Sequence, residues 1–116
     1  MLTTDSLIEL LKSNPEQVSF NQSISTIDKE YDFVETKFVN GSQINEAGKN
    51  NGSCKILAFA MLNQLSQQET LHLFGDYYRK DVLEHPLEQD HQNIRQFIEG
   101  GWDAVQFEAI ALTPKP

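Results

Sequence analysis

The sequence predicts a single helix-rich α+β domain. The chain has 116 residues, which is the length of one domain. Apolar residues recur at helical spacing through most of it, and one helical stretch is apolar on every side. Two short segments rich in β-branched and aromatic residues, at about 33–38 and 104–112, are typical of strands. Together these features predict about five helices and a small sheet.

Two helices are predicted in the first third of the chain. The first carries an apolar stripe that ends before Asn14 and Pro15, because the residue before a proline disfavours the helical region. Ser19 and Gln22 have the spacing of a capping box. The second helix therefore begins near Phe20 and runs to about Tyr31.

The clearest helix lies at about 54–65 and should be the centre of the fold. Ser53 stands at its start as a candidate N-cap. Eight of the next residues leave the helix almost no polar face, and a helix that is apolar all round is buried. The other elements are expected to pack around it.

The second half of the chain predicts two more helical segments. Ser66 and Glu69 form another capping box and open a helix that extends towards Val82. Gly75 is the expected point of a kink or a break. Asp90 is the candidate cap of the last helix, which stops at a pair of glycines.

The two strand segments are each other's predicted partners. An Asn-Gly turn follows the first, and residues 41–52 are polar enough to predict a loop. Antiparallel pairing is the commoner arrangement. A two-stranded antiparallel sheet at 33–38 and 104–112 must lie on the helices, because such a ribbon is marginal alone.

Composition and charge limit the partners and the cellular location that are expected for the chain. The formal net charge is −8, which repels nucleic-acid phosphate and anionic lipid and attracts basic proteins. No nucleic-acid or membrane partner is therefore expected. The start of the chain lacks the pattern of a cleaved secretory signal, so the expected location is the bacterial cytoplasm. The single cysteine, Cys54, excludes an intrachain disulfide.

Cys54 is also the candidate catalytic nucleophile. It stands near the start of the central helix, where the helix dipole favours a thiolate and lowers the thiol pKa. His91 is the candidate base, and Asn93 could orient its imidazole. The structural alternative is that Cys54 is a small buried residue in an ordinary helix start.

Polar residues at two helix starts and on one helix face are the candidate ligand-binding residues. We expect the loop around residues 50–54, the face of 77–79 and the helix start at 90–95 to converge on a polar pocket. A small local basic patch of Lys49, Lys55 and Arg79 is the one exception to the acidic charge that argues against nucleic acid. No metal or cofactor is expected, since His85, Asp90 and His91 match no standard ligand spacing. The candidate binding residues are Asn50, Asn51, Ser53, Lys55, Tyr78, Arg79, Asn93 and Arg95.

Several of these strings carry a family resemblance. Residues 51–56 read NGSCKI, residues 74–79 read FGDYYR, and residues 90–95 read DHQNIR. With these strings the chain resembles the HopJ family of small bacterial proteins, named after a type III secretion effector. The likeness spans about 7–112, so residues 1–116 are expected to form one HopJ-like domain. Glu35 and the segment 87–89 depart from the expected pattern.

The resemblance implies a protein exported by a type III apparatus without a cleaved signal and bound to a host protein. It implies no enzymatic activity. Three hypotheses follow: a non-enzymatic effector-like module that binds a protein or a small anionic ligand, a cysteine hydrolase or transferase using Cys54 and His91, and a bacterial housekeeping domain without an effector role. The position of Cys54 relative to an imidazole separates the second from the other two.

Overall fold

The computed structural model describes residues 2–116 and confirms a helix-rich α+β fold. Five α-helices and five short strands alternate with a π-helical segment and two short 3-10 turns. The helices are α1 (Thr4–Ser13), α2 (Phe20–Glu30), α3 (Asn51–Leu62), α4 (Gln67–His72) and α5 (Gln92–Gly100), and the π-helical segment is Tyr77–Val82. The strands are β1 (Tyr31–Phe33), β2 (Phe38–Asn40), β3 (Gln43–Asn45), β4 (Val105–Phe107) and β5 (Leu112–Pro114).

Helix α3 forms the centre of the core, as its uniformly apolar sequence predicts. Ile56, Leu57, Phe59 and Ala60 on it are all completely buried. It begins and ends about three residues earlier than predicted. Gln64, with a φ of 55°, leaves the helical region and ends it. Helix α2 packs along one side of α3, and α4 packs at its end.

Both predicted capping boxes are present. The Ser19 hydroxyl accepts from the amide of Gln22 while the Gln22 side chain accepts from the amide of Ser19, and Ser66 and Glu69 do the same for α4. These reciprocal bonds satisfy amides that would otherwise lack partners at the helix starts. Gly75 divides the helix predicted to follow Ser66, because its φ of 62° is left-handed.

The prediction of a single two-stranded sheet is wrong, although the antiparallel partnership is right. Segment 31–40 runs beside 105–114, but the ladder is divided into a β1–β5 pair and a β3–β2–β4 sheet. Phe33 pairs with Leu112 and Phe38 with Phe107, so the register is the same on both sides of the gap. Val34 still donates to the Ala111 carbonyl at 2.8 Å and Glu108 to the Lys37 carbonyl at 3.0 Å, so the gap is confined to residues 35–36 and 109–110, where Glu35 accepts from the Asn51 side chain.

Strand β3 falls in a segment predicted to be a loop. It pairs with β2 across a two-residue turn, with Asn40 opposite Gln43. Gly41 occupies the first turn position with a φ of 60°, which is the glycine position of a type II′ hairpin. The side chains of β3 are mostly polar, so no apolar alternation indicated a strand.

Gly75→Ala should destabilise the fold far more than Gly48→Ala. Both glycines have a positive φ, so an alanine costs about 1 kcal/mol at either site. At Gly75 the new Cβ would also lie 2.6 Å from the backbone nitrogen of Phe20, whereas at Gly48 it would meet the flexible Glu35 carboxylate at 3.3 Å. We expect a loss of at least about 3 kcal/mol at Gly75 in urea unfolding. Equal losses at the two sites would contradict the steric argument.

Candidate functional site

A cleft of about 400 Å³ opens where the starts of α3 and α5 meet the π-helical segment. Three segments singled out in the sequence contribute side chains to its lining: 50–53 (except Asn51), Tyr77, and 91–93. The cleft has amide and hydroxyl side chains on one side and aromatic rings on the other. Its lining residues are Phe20, Gln43, Asn50, Gly52, Ser53, Phe74, Tyr77, Gln89, His91, Gln92, Asn93 and Ile94.

Both helix N-termini that reach the cleft begin in the same unusual way. The N-cap of α3 is Asn50 (φ 56°, ψ 47°) and that of α5 is His91 (φ 53°, ψ 48°), both left-handed. An N-cap normally has extended backbone, from which its side chain bonds the helix amides. No side chain caps either helix. The prediction that Ser53 caps α3 is therefore wrong, because Ser53 lies inside the first turn of the helix.

The uncapped amides place the positive ends of two helix dipoles at the cleft. Unsatisfied N–H groups at a helix start carry the positive end of the helix dipole, and two such ends add here. The chain has 17 acidic residues, yet none of the lining residues is an aspartate or a glutamate. Tyr77 and His91 are the titratable side chains of the lining. Carboxylates are thus absent from the lining itself, and the nearest ones, Asp81 and Asp90, lie behind His91 at 3.0 and 3.7 Å from its Nε2.

A buried network of asparagine side chains fixes the two helix starts relative to the sheet. Asn45 on β3 and Asn93 on α5 form a reciprocal amide pair, with N···O distances of 3.0 and 2.9 Å. Asn40 donates to the Asn93 carbonyl at 2.7 Å, and Asn50 donates to Asn45 Oδ1 at 2.7 Å. Burial makes an unpaired amide costly, so the network favours this one arrangement of β2, β3, α3 and α5.

The aromatic side of the cleft is a row of three rings. Tyr77 lies between Phe20, which it meets edge to face, and His91, with ring centroids 5.0 Å apart in both pairs. Gly52 makes this row possible, because a Cβ there would lie 2.9 Å from Phe20 Cζ. The row provides an apolar face for a planar group bound in the cleft.

Cys54 lies outside the cleft, and the predicted lowering of its pKa is wrong. The side chain is 1% exposed and packs in the core. Burial raises the pKa of the Cys54 thiol to about 11, against a backbone hydrogen bond with Thr36 and the charge of Lys55. Desolvation of the thiolate outweighs the helix dipole here because the residue lies inside the first turn and faces the core.

His91 does not reach Cys54. Its Nε2 lies 3.0 Å from Asp81 Oδ2 and its ring stacks on Tyr77. Asn93, predicted to orient the imidazole, is instead committed to Asn45. The geometry that a cysteine hydrolase needs, a thiol within hydrogen-bond reach of an imidazole, is not formed.

Arg79 and Arg95 hold loops in place away from the cleft. Arg79 donates to the carbonyls of Pro15, Val18 and His72, which ties the π-helical segment to the turn before α2. Arg95 donates to Asp90 Oδ1 and to the carbonyl of His85, which holds the loop before α5. The prediction that Asp90 caps α5 is therefore wrong, since the N-cap is His91. The pKa of Asp90 is held below its ordinary value chiefly by the Arg95 hydrogen bond.

The remaining predicted binding residues also point elsewhere. Lys55 pairs with Asp28 at 2.8 Å, and Asn51 donates to Glu35 at 3.0 Å. The Tyr78 ring is buried, and its hydroxyl accepts from Gln68. Of the three cations considered as a basic patch, Lys55 is thus paired with a carboxylate and Arg79 is bonded to backbone carbonyls. Trp102 packs on Phe97 and donates to the Leu65 carbonyl, as a core residue does.

Sequence reasoning missed part of the lining. Tyr77 lines the cleft, whereas its neighbour Tyr78, the predicted binding residue, is buried. Gln43 was assigned to a loop, and Phe20 to the core stripe of α2. The position of Phe20 directly after the capping residue Ser19 is the signal that could have placed it at a helix end, near the surface.

Comparison with known proteins fits this description. The family model described as HopJ type III effector protein matches residues 4–112. A crystal structure titled as that of an unknown function protein, VPA0580, is 48% identical and superposes with a TM-score of 0.95 over 96% of this chain and 92% of that one. No curated protein matches.

The class defined by the fold is that of small helix-rich α+β domains with a cleft between two helix starts. Within that class, the chain belongs to the HopJ type III effector family. Across residues 2–116, no helix is long and apolar enough to cross a membrane. The same residues hold no group of three or more His, Cys, Asp or Glu side chains arranged for a metal ion.

The raised pKa of Cys54 predicts slow alkylation and a pH-dependent contribution to stability. The folded chain keeps the thiol proton up to about pH 11, whereas an unfolded thiol ionises near about 8.5. The stability advantage of the wild type over Cys54→Ala should therefore be complete below about pH 8.5 and fall as the pH rises to about 11. Urea unfolding of both proteins across this range measures it. An advantage that grows with pH would contradict the burial argument.

Asn93→Asp should break the asparagine network. The new carboxylate oxygen would face Asn45 Oδ1, where the Asn93 amide now donates at 2.9 Å, and it would bury a charge. We expect a loss of about 3 kcal/mol in urea unfolding at neutral pH. Asn51→Asp is the matched control, because its side chain meets Glu35 in a solvent-exposed bond. It should cost less than about 1 kcal/mol, and similar losses at both sites would contradict the proposed importance of the network.

Proposed function

We propose that this HopJ-family protein is a non-enzymatic binding module whose cleft takes an anionic, acceptor-rich group of a protein or a small ligand. The observation that carries the proposal is the meeting of two uncapped helix N-termini, at Asn50 and His91, in one cleft without carboxylates. Amides at helix starts bind anions through hydrogen bonds and the helix dipole. The aromatic row would pack against a planar part of the same ligand.

The left-handed backbone of the two N-caps supports a ligand-binding site at the cleft. Left-handed backbone is uncommon for residues other than glycine and is concentrated at binding sites. Asn50, Gln64 and His91 are the non-glycine residues with positive φ in the described chain, and two of these three line the cleft. In both cases this backbone leaves the helix amides without a capping side chain.

The family description indicates which kind of partner the cleft would meet in the cell. A type III effector leaves the bacterium and acts on host components, so the partner of the cleft would be a host protein or metabolite. Export without a cleaved signal remains the expectation for this chain. Catalysis by Cys54 and His91 is not proposed, because the thiol is buried and the imidazole is bonded to Asp81.

Titration with phenyl phosphate tests the cleft, with benzyl alcohol as the uncharged probe. Phenyl phosphate combines an anion for the helix amides with a ring for the aromatic row. In proton–nitrogen NMR spectra we expect saturable shifts of the amides of Asn51, Gly52, Ser53, Gln92 and Asn93. Benzyl alcohol should leave these amides nearly unchanged.

Gln92→Glu is the decisive variant. A glutamate at the first position of α5 is favourable for the helix dipole, so folding is retained, but its charge should weaken phenyl phosphate binding at least about tenfold. Gln106→Glu is the matched control, since it makes the same change on the exposed face of β4. Equal binding by the two variants, or shifts spread away from the cleft, would reject the proposal.

A further inference from the structure

A second surface lies on the opposite side of α5 from the buried core and has the reverse character of the cleft. It is a groove of about 370 Å³ between the end of the π-helical segment and α5. Leu83, Pro86 and Ile98 line it with apolar surface, and Glu88 and Glu99 line its rim. We refer to it as the acidic groove.

The apolar residues at the acidic groove are unusually exposed. Leu83 is 53% exposed, and Leu87, which follows Pro86 in the same loop, is 94% exposed. Packing within the chain does not account for these leucines. Grouped exposed apolar side chains with a polar rim are typical of interaction sites.

The unpaired carboxylates at the acidic groove favour a partner with positive charge. Glu84, Glu88 and Glu99 are exposed and form no ion pair within residues 2–116. Arg95, the cation in the groove lining, is already paired with Asp90 at 2.6 Å. A second copy of the chain, with a net charge of −8, would bring further carboxylates to this rim, and anionic lipid would be repelled as well.

We propose that the acidic groove docks a basic amphipathic segment of a partner protein. Apolar side chains of the segment would cover Leu83, Leu87 and Ile98, and flanking lysine or arginine side chains would pair with Glu84, Glu88 and Glu99. A helix lying in a groove between two helical elements is a common mode of peptide recognition. This surface adjoins the cleft, since Gln92 is in the lining of both, but the rest of its lining is different and its occupant has the opposite charge.

The test uses a fluorescent peptide of about 18 residues, with leucines on one helical face and lysines elsewhere. Anisotropy titration at about 0.15 M salt should give saturable binding near about 10 μM. Leu83→Ser with Leu87→Ser should weaken it at least about tenfold. Val34→Ser with Ile110→Ser is the matched control, because these side chains are 62% and 76% exposed in another part of the molecule. This control should bind as the wild type does.

Charge variants separate the groove from general attraction to an acidic protein. Glu88→Gln with Glu99→Gln should weaken binding about threefold or more, whereas Glu9→Gln with Asp32→Asn, which also removes two exposed carboxylates, should not. Ser53→Asp, which places a carboxylate in the lining of the cleft and not in that of the groove, should not weaken peptide binding. Thermal unfolding of each variant establishes that it is folded at the assay temperature.

Three results would overturn the proposal. Peptide binding that is absent, or that falls equally in the groove variant and its matched control, means that the groove does not recognise the peptide. Binding that follows total charge alone leads to the same conclusion. Dimerisation of the wild type in sedimentation, abolished by Leu83→Ser with Leu87→Ser, would assign the groove to a second copy of this chain instead.

Discussion

The reciprocal amide pair between Asn45 and Asn93 is the interaction on which the arrangement of the cleft depends. It joins a strand to a helix start 48 residues further along the chain. Asn40 and Asn50 extend it to β2 and to the start of α3. Because buried amides are costly without partners, the four segments are held in one relative position. The backbone amides of α3 and α5 can then face a common space without capping side chains of their own.

The molecule separates two kinds of surface although its overall charge is acidic. Glu88 and Glu99 are in the lining of the groove between the π-helical segment and α5, but no carboxylate is in the lining of the cleft. Neither arginine is in the lining of the cleft. Arg79 donates to backbone carbonyls, and Arg95 donates to Asp90. Attraction of an anion to the cleft would therefore come from the helix dipoles at the two uncapped starts, which net charge does not reveal.

The sequence predicted what depends on local pattern and failed where distant residues decide. The uniformly apolar run at Ile56 to Ala60 allowed only a buried helix, and Ser19 and Ser66 marked helix starts through bonds spanning three residues. Asn93 was predicted to orient the His91 imidazole because its actual partner, Asn45, is remote in sequence. Cys54 looked like an activated thiol because the helix dipole is local, whereas the burial that raises its pKa comes from the whole core. Asn50, Ser53, His91 and Asn93 line the cleft, whereas Phe20 and Gln43 were not among the candidate site residues because the folding of distant segments brings them there.

The unbroken register between 31–40 and 105–114 links the lengths of two segments that are far apart in the sequence. Phe33 to Phe38 and Phe107 to Leu112 each advance by the same number of residues across the gap. Side chains of a strand alternate between faces, so adding one residue to either segment alone would turn buried side chains such as Phe38 outwards. Relatives that vary in length here are expected to change both segments together, which makes the gap a paired insertion site rather than two independent loops.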